Sequence, residues 1–200
     1  MPVDTRRVRL RAERGANRAA IVAAAEAALR ERPFREVTVE DLMQAAGLAR
    51  TQFYRHFDDL SDLVLTVSAG AFEDILDHHE RLVDIADLDV ATLRAAIAPA
   101  VEAFALHGPL VRALSEAAAH DEAVEQVYNR AQRRYVALTE RLVTRAAADG
   151  APITHPAQTA RMLHLANLSY LIDAFGGEPT VEPEVALDTI VEVWSAALGL

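Results

Sequence analysis

Residues 38–57 read TVEDLMQAAGLARTQFYRHF, and this stretch divides itself into two short helices about a tight turn. Thr38 followed three positions later by Asp41 has the spacing at which a hydroxyl and an acidic side chain satisfy each other's free N–H groups at a helix start. Leu42, Ala45 and Ala46 then share one face, which predicts a helix over residues 39–46. Gly47 ends it, because the left-handed conformation that terminates helices is least strained in glycine. A second helix is predicted over 50–56, with Phe53 and Phe57 turned inward. Two helices this close, joined by small residues, have the anatomy of a helix-turn-helix. With both phenylalanines inside, Arg50, Thr51, Gln52, Tyr54, Arg55 and His56 are left for other faces. These groups reach phosphates or base edges: the Arg50 fork suits a guanine, the Gln52 amide an adenine, and Tyr54 and His56 a phosphate.

Working outward, residues 17–31 predict a preceding helix, with Asn17 as N-cap, Pro33 as stop, and Ile21, Ala24, Ala25, Ala28 and Leu29 on its buried face. On this helix, the Ala46-Gly47-Leu48 turn and Phe53-Tyr54-x-His56-Phe57, residues 17–65 resemble the DNA-binding domain of TetR-family transcriptional regulators. The resemblance implies a one-component regulator, most simply a repressor, whose homodimer sets two recognition helices in successive major grooves of a palindromic operator, about 34–36 Å apart. Three residues depart from the family pattern. Ala49 stands where Ser usually caps the recognition helix, Gln52 where Thr is common, and Leu60 where a Lys often grips phosphate. The other reading of those departures is a helical ligand-binding or interaction module whose DNA affinity is weak or lost.

The net charge of -10 discourages a nucleic-acid partner until it is divided along the chain. Residues 1–60 hold 11 Arg against 9 acids, and residues 61–200 hold 9 Arg against 21 acids. Positive charge peaks in residues 1–16, expected to be a flexible basic arm that tracks phosphates or a narrow minor groove and so compensates for Leu60; the plainer alternative is a disordered tail that aids solubility. The expected DNA contacts are Arg11, Arg14, Thr38, Arg50, Thr51, Gln52, Tyr54, Arg55 and His56. There is no Cys, which excludes disulfides and thiolate metal sites. With no apolar leader and no uninterrupted apolar run near ~18 residues, a soluble cytoplasmic protein with no membrane partner is expected.

The whole chain reads as all-α: an arm over 1–16, a helix-turn-helix domain over 17–60, and a ligand-binding and dimerisation domain over 61–200. A fourth helix opens near Asp59 or Ser61 and is predicted to reach residue 83. Further helices are predicted over 90–106, 109–119, 121–148, 155–175 and 183–198, broken at His107-Gly108-Pro109, Asp149-Gly150-Ala151-Pro152 and Gly176-Gly177-Glu178-Pro179. Pro99 is expected to kink its helix. The last two helices are apolar over much of their circumference and suit a four-helix bundle with a symmetry mate, although they could also be interior to a monomer.

A ligand cavity is expected from Ile97, Val101 and Phe104, from Tyr128, Gln132, Tyr135, Leu138, Thr139 and Leu142, and from His164, Asn167, Leu168 and Leu171. Such a stripe is also what ordinary core looks like. Asn167 and His164 favour the cavity, being polar, three apart and set among apolar neighbours. A neutral, largely hydrophobic effector anchored by Asn167 follows, with Tyr128, Tyr135, Phe104 and Trp194 as aromatic walls. Asn167, the Phe175-Gly176-Gly177-Glu178-Pro179 connection and Trp194 also resemble the end of the EthR-type subgroup, apart from one residue missing before that Pro. No cofactor, metal or catalytic site is expected. The adjacent His78 and His79 cannot share a helix face, and the pairs Asp74–His78 and Glu116–His120 do not close a site. The acid pairs Glu73-Asp74 and Asp121-Glu122 suit an exposed face and a helix start.

Overall fold

The computed structural model describes residues 5–66, 68 and 88–200. They form helices α1 (Thr5–Glu31), α2 (Val39–Ala45), α3 (Arg50–Phe53), α4 (residues 60–66), α5 (Val90–Ala118), α6 (Glu122–Ala148), α7 (Pro156–Phe175) and α8 (Pro183–Leu198), with a 3-10 turn at Phe34–Glu36. No strand occurs among the described residues, and the fold is all-α. The expected run of the fourth helix to residue 83, and with it Glu73, Asp74, His78 and His79, lies outside the described residues.

Local chemistry explains most of the boundaries. Thr38 and Asp41 form the reciprocal cap of α2, the Thr38 hydroxyl accepting from the Asp41 N–H at 3.2 Å and the Asp41 carboxylate from the Thr38 N–H at 3.3 Å. Gly47 follows with φ 66°, inside the region that favours glycine. Asp59 caps α4 by accepting from the Asp62 N–H at 2.8 Å. Asp121 does the same for α6, accepting from the Ala123 and Val124 N–H groups.

Three expectations are corrected. The first helix starts at Thr5, and Asn17 lies inside it. Residues 5–16 are mostly Arg, Leu, Ala and Glu, all strong helix formers, and Arg9 pairs with Glu13 one turn on at 3.1 Å. Second, there is no break at His107-Gly108-Pro109; α5 runs through both Pro99 and Pro109. A mid-helix proline costs ~3 kcal/mol, but Leu110, Val111 and Leu114 beyond it are 1–3% exposed, and each such burial returns roughly 1.5–3 kcal/mol. Gly108 serves contact rather than termination: a Cβ there would stand 2.2 Å from the Phe175 carbonyl oxygen. Third, α3 is shorter than expected, and Tyr54–His56 form a turn after it.

Two large apolar cores form among the described residues, and α5 belongs to both. The head core gathers Ile21, Ala25 and Leu29 of α1, Leu42 and Met43 of α2, Phe53, Phe57, Leu63 and Val64, closed by Leu110, Ala113, Leu114 and Ala117 of α5. The body core joins Leu93, Ile97, Val101 and Phe104 of α5 to α6, α7 and α8. By length and composition alone α5 could cross a bilayer, yet it carries Arg94, Glu102, Arg112 and Glu116, and most of its large apolar residues are buried in these two cores. Arg94 ties α5 to α8 by donating to Asp188 and Glu184.

Candidate nucleic-acid interface and bundle cavity

The recognition segment is held from beneath. Phe53 and Phe57 are 0% and 2% exposed with ring centroids 5.6 Å apart. Their burial leaves Arg50, Thr51, Tyr54 and Arg55 exposed. Arg50 donates to the Tyr54 hydroxyl at 3.4 Å with its guanidinium over that ring, so the two side chains stand as one exposed unit. Thr38, also exposed, keeps its hydroxyl hydrogen for an outside acceptor while the oxygen serves the cap. Ala49 gives α3 no side-chain cap, and Leu60 is half-buried against the head core.

Two residues sit differently from the sequence-based expectation. Gln52 is half-buried, and its carbonyl accepts from Arg55 at 3.2 Å. His56 is turned partly inward: its Nε2 is buried without a hydrogen-bond partner, so this nitrogen is closed to a phosphate. Burial first, then the charges of Arg14, Arg18 and Arg55, hold its pKa below the ordinary histidine value. That arrangement locates the arm. Arg14 is exposed, and Arg18 lies over the Phe57 ring at 5.6 Å, so the basic stretch of α1 runs beside the end of the recognition segment. Arg11 is exposed one turn further out. Arg18 was not among the expected contacts, although its spacing from Arg11 and Arg14 puts the three on one helix face.

Inside the body, Ile97, Ala100 and Phe104 of α5, Gln132, Tyr135 and Thr139 of α6, His164, Asn167, Leu168 and Leu171 of α7, and Ile190 and Trp194 of α8 line a cavity of about 60 Å³. Four expected residues lie elsewhere: Leu138 packs with Ala100 and Tyr135, Leu142 belongs to the body core, and Val101 and Tyr128 are the other two. Val101 is packed in the body core, one step round α5 from the cavity wall. Tyr128 packs against the head core and lines an outer groove of about 710 Å³ between α6 and α7, which shares Gln132, His164 and Leu168 with the cavity. Ala100 and Ile190 were missed; both lie a helical turn from residues that were named.

The polar groups of the cavity wall are unequal. His164 is hydrogen-bonded through Nε2 to Gln132 and stacked on Tyr135, with ring centroids 5.7 Å apart. It is thus a partnered histidine, where the sequence suggested an unpartnered one. The Asn167 amide makes no hydrogen bond among the described residues. The Trp194 indole N–H is buried without an acceptor. An apolar cavity with the Asn167 amide and an indole N–H left over can receive a mostly apolar molecule that also offers one or two polar atoms.

Both parts of the chain have known relatives. Residues 93–198 match the model of the transcriptional regulator EthR, C-terminal domain, and residues 21–67 that of bacterial regulatory proteins, tetR family. The HTH-type transcriptional regulator EthR of Mycobacterium tuberculosis (strain ATCC 25618 / H37Rv) is 31% identical over 195 residues, spanning 90% of this chain and 85% of that protein. The chain therefore belongs to the TetR family and is a ligand-responsive DNA-binding transcriptional regulator. Within that family its C-terminal domain is of the EthR type. The fold agrees with the TetR-family regulator PfmR from Thermus thermophilus, with a TM-score of 0.69 at 20% identity over 86% of this chain and 94% of that one. It agrees equally with AibR in complex with isovaleryl coenzyme A and operator DNA, with a TM-score of 0.69 at 18% identity over 89% and 97%.

Proposed function

We propose that the protein is a homodimeric, non-enzymatic repressor that works in the cytoplasm and leaves a palindromic operator when a small, largely apolar effector enters the bundle cavity. Arg50 and Tyr54 are assigned to the major groove, Thr51 and Thr38 to its edges, and Arg11, Arg14, Arg18 and Arg55 to flanking phosphates. The effector is assigned to the cavity wall, with Asn167 and the Trp194 N–H as its polar anchors. One observation carries the effector side: the Trp194 N–H, on a side chain that lines the apolar cavity, is buried without an acceptor, a state that costs ~1–3 kcal/mol and that an acceptor on a ligand would relieve. The half-buried Asn167 amide on the same wall makes no bond that a ligand would have to break.

Dimerisation through α7 and α8 is supported by their outer faces. Met162 and Leu165 are 59% and 49% exposed, and Val185 and Val193 are 52% and 50% exposed, on two helices that both pack on α5. A second copy of the same surface would bury them. Release then follows if the effector prefers the form in which the two heads no longer match successive grooves; equal affinity for both forms would shift nothing.

A mobility-shift titration with DNA from upstream of the protein's own gene tests this reading. A shift that weakens as salt rises, and that Asn167→Trp diminishes by filling the cavity, is the expected result. No shift at low salt, or a shift indifferent to Arg50 and Tyr54, would favour the helical module with lost DNA binding. Sedimentation equilibrium tests the dimer, and a monomer at micromolar concentration would remove it.

A further inference from the structure

Three helix ends meet where the head joins the body. The last carbonyls of α1 have no partner within their helix, and α5 supplies donors from its side: the Arg112 guanidinium donates to the Leu29 carbonyl and, at 3.2 Å, to the Arg32 carbonyl. One turn on, Glu116 lies 3.7 Å from the Arg112 Nε and accepts from the Phe34 N–H at 2.7 Å. The connection between α7 and α8 abuts the same guanidinium. A Cβ on Gly176 would stand 3.2 Å from the Arg112 Cβ, and one on Gly177 would stand 3.3 Å from an Arg112 nitrogen. From the other side, Arg30 of α1 donates to the Gly177 carbonyl at 3.4 Å. Further back along α5, His107 and Glu26 of α1 meet at 2.9 Å, and Gly108 touches the Phe175 backbone at the end of α7.

Each element at this junction also reaches a working surface. On α5, Phe104 of the cavity wall lies one turn from Gly108 and two from Arg112; on α7, Leu171 of the same wall lies one turn from Phe175. Near its middle α1 carries Arg14 and Arg18 beside His56 and Phe57. The size of the cavity favours movement. At about 60 Å³ it is well below the ~300–1,000 Å³ of small-molecule sites, so an effector seated within it, and not only in the adjoining outer groove, parts the helices that wall it. Gly108 and Phe175 are in backbone contact a turn away, and a parting of α5 and α7 reaches them and Arg112 next.

We propose that Arg112 is a positioning residue for the recognition segment: it fastens the C-terminal end of α1 to α5 at the α7–α8 connection, so that widening the cavity moves α1 and the head with it. This rests on the cavity being the effector site. Both carbonyls accept from one terminal nitrogen, Nη2, whose N–H groups are fixed in the guanidinium plane, while Nε faces Glu116. A lysine ammonium has donors for the carbonyls but neither that planar fixing nor the second nitrogen, and holds the junction less firmly. The coupling is therefore graded by side chain: complete with Arg112, partial with Arg112→Lys, lost with Arg112→Gln.

The absence of Cys makes the test direct. Spin labels at the exposed positions Gln44→Cys on α2 and Ala137→Cys on α6 report the head-to-body distance within one full-length chain diluted in unlabelled protein. Pulsed dipolar spectroscopy is then recorded for Arg112, Arg112→Gln and Arg112→Lys, each with Asn167 and with Asn167→Trp as a built-in cavity filler. Arg112→Gln should broaden the distance distribution and shift its mean, with helical content by circular dichroism unchanged, and Arg112→Lys should fall between. Asn167→Trp should shift the mean by roughly 1–2 Å, the scale of helix displacements in such switches, when Arg112 is present and not when Gln replaces it. An unchanged distribution in both Arg112 variants overturns the proposal, as does an Asn167→Trp shift of equal size with and without Arg112. Should Asn167→Trp move nothing in the Arg112 chain, the effector-site reading fails, while the Arg112→Gln distribution still decides the fastening. Where Arg112→Gln loses helical content, Arg112→Lys provides the comparison.

Discussion

Around Phe53 the head packs Ile21, Ala25, Leu42 and Phe57 to 0–2% exposure, whereas Tyr135, Thr139 and Trp194 of the body, also hidden from solvent, stand round a void of about 60 Å³. In the head the named cap groups are matched: Thr38 with Asp41, Asp59 with Asp62. Unmatched polar atoms occur in both regions, but His56 Nε2 of the head is shut in by packing, whereas the Asn167 amide and the Trp194 N–H of the body belong to residues that line the void. Both regions are helical and rich in Ala and Leu, so composition does not produce the contrast. Placement does: in the body, aromatic and polar side chains from four helices converge at positions too far apart to fill the space between them. A reader of base edges needs fixed side chains, and a sensor needs room and unmet hydrogen bonds.

The contrast can be broken at its strongest point first. Phe53→Ala empties the centre of the head and should lower stability by about 3–5 kcal/mol in urea unfolding; a loss under ~1 kcal/mol would mean that the head is not tightly packed. Arg50→Ala should leave the thermal midpoint in place and weaken operator binding by about 1–3 kcal/mol, roughly 5- to 150-fold in a fluorescence titration. A matched pair compares the two cores directly. Ala25→Val, added to the closed core, should cost about 1–3 kcal/mol, while Ala100→Val, added to the cavity wall, should stay within about 0.5 kcal/mol; equal losses would erase the distinction.

The smallest effect is in acid. His56 has its pKa held below the ordinary value of 6.5 by burial and by three arginines. The unfolded chain therefore binds the proton more readily than the folded one. The stabilisation from a neutral His56 is complete above pH 6.5 and is lost as pH falls through that value toward the lowered one. Thermal midpoints recorded from pH 7.5 to 5 should fall less steeply for His56→Gln than for the natural chain. Parallel slopes would show that His56 is not a source of the acid sensitivity.

Much of the head was legible because its signals are local. The Thr38–Asp41 cap, the glycine at 47 and the pair Phe53 and Phe57 each act within four residues, and the structure places them accordingly. The loops at Asp149–Pro152 and Gly176–Pro179 were legible for the same reason. What escaped the sequence depends on contacts across the fold. Gly108-Pro109 carries every local mark of a break, and only the closeness of Phe175 and the burial of Leu110 and Leu114 reveal it as mid-helix. Tyr128 follows the helical stripe of Gln132 and Tyr135, but α6 is long enough that its first turns leave the cavity and lean on the head. His56 looked like a free donor because nothing in the sequence tells how close α1 lies. Arg112 gave no signal at all; an arginine that caps another helix 80 residues away is invisible to any periodicity.

The sharing of α5 between two cores sets a rule for exchanging parts. A head transplanted by cutting near residue 60 would lose Leu63, Val64, Leu110, Ala113, Leu114 and Ala117, and would present Leu29 and Met43 to a foreign helix. A sensor swap that works must carry the second half of α5 with the head and graft new chemistry upstream, at Ile97, Ala100 and Phe104. The seam between what this regulator recognises and where it acts runs through the middle of one helix, near Gly108.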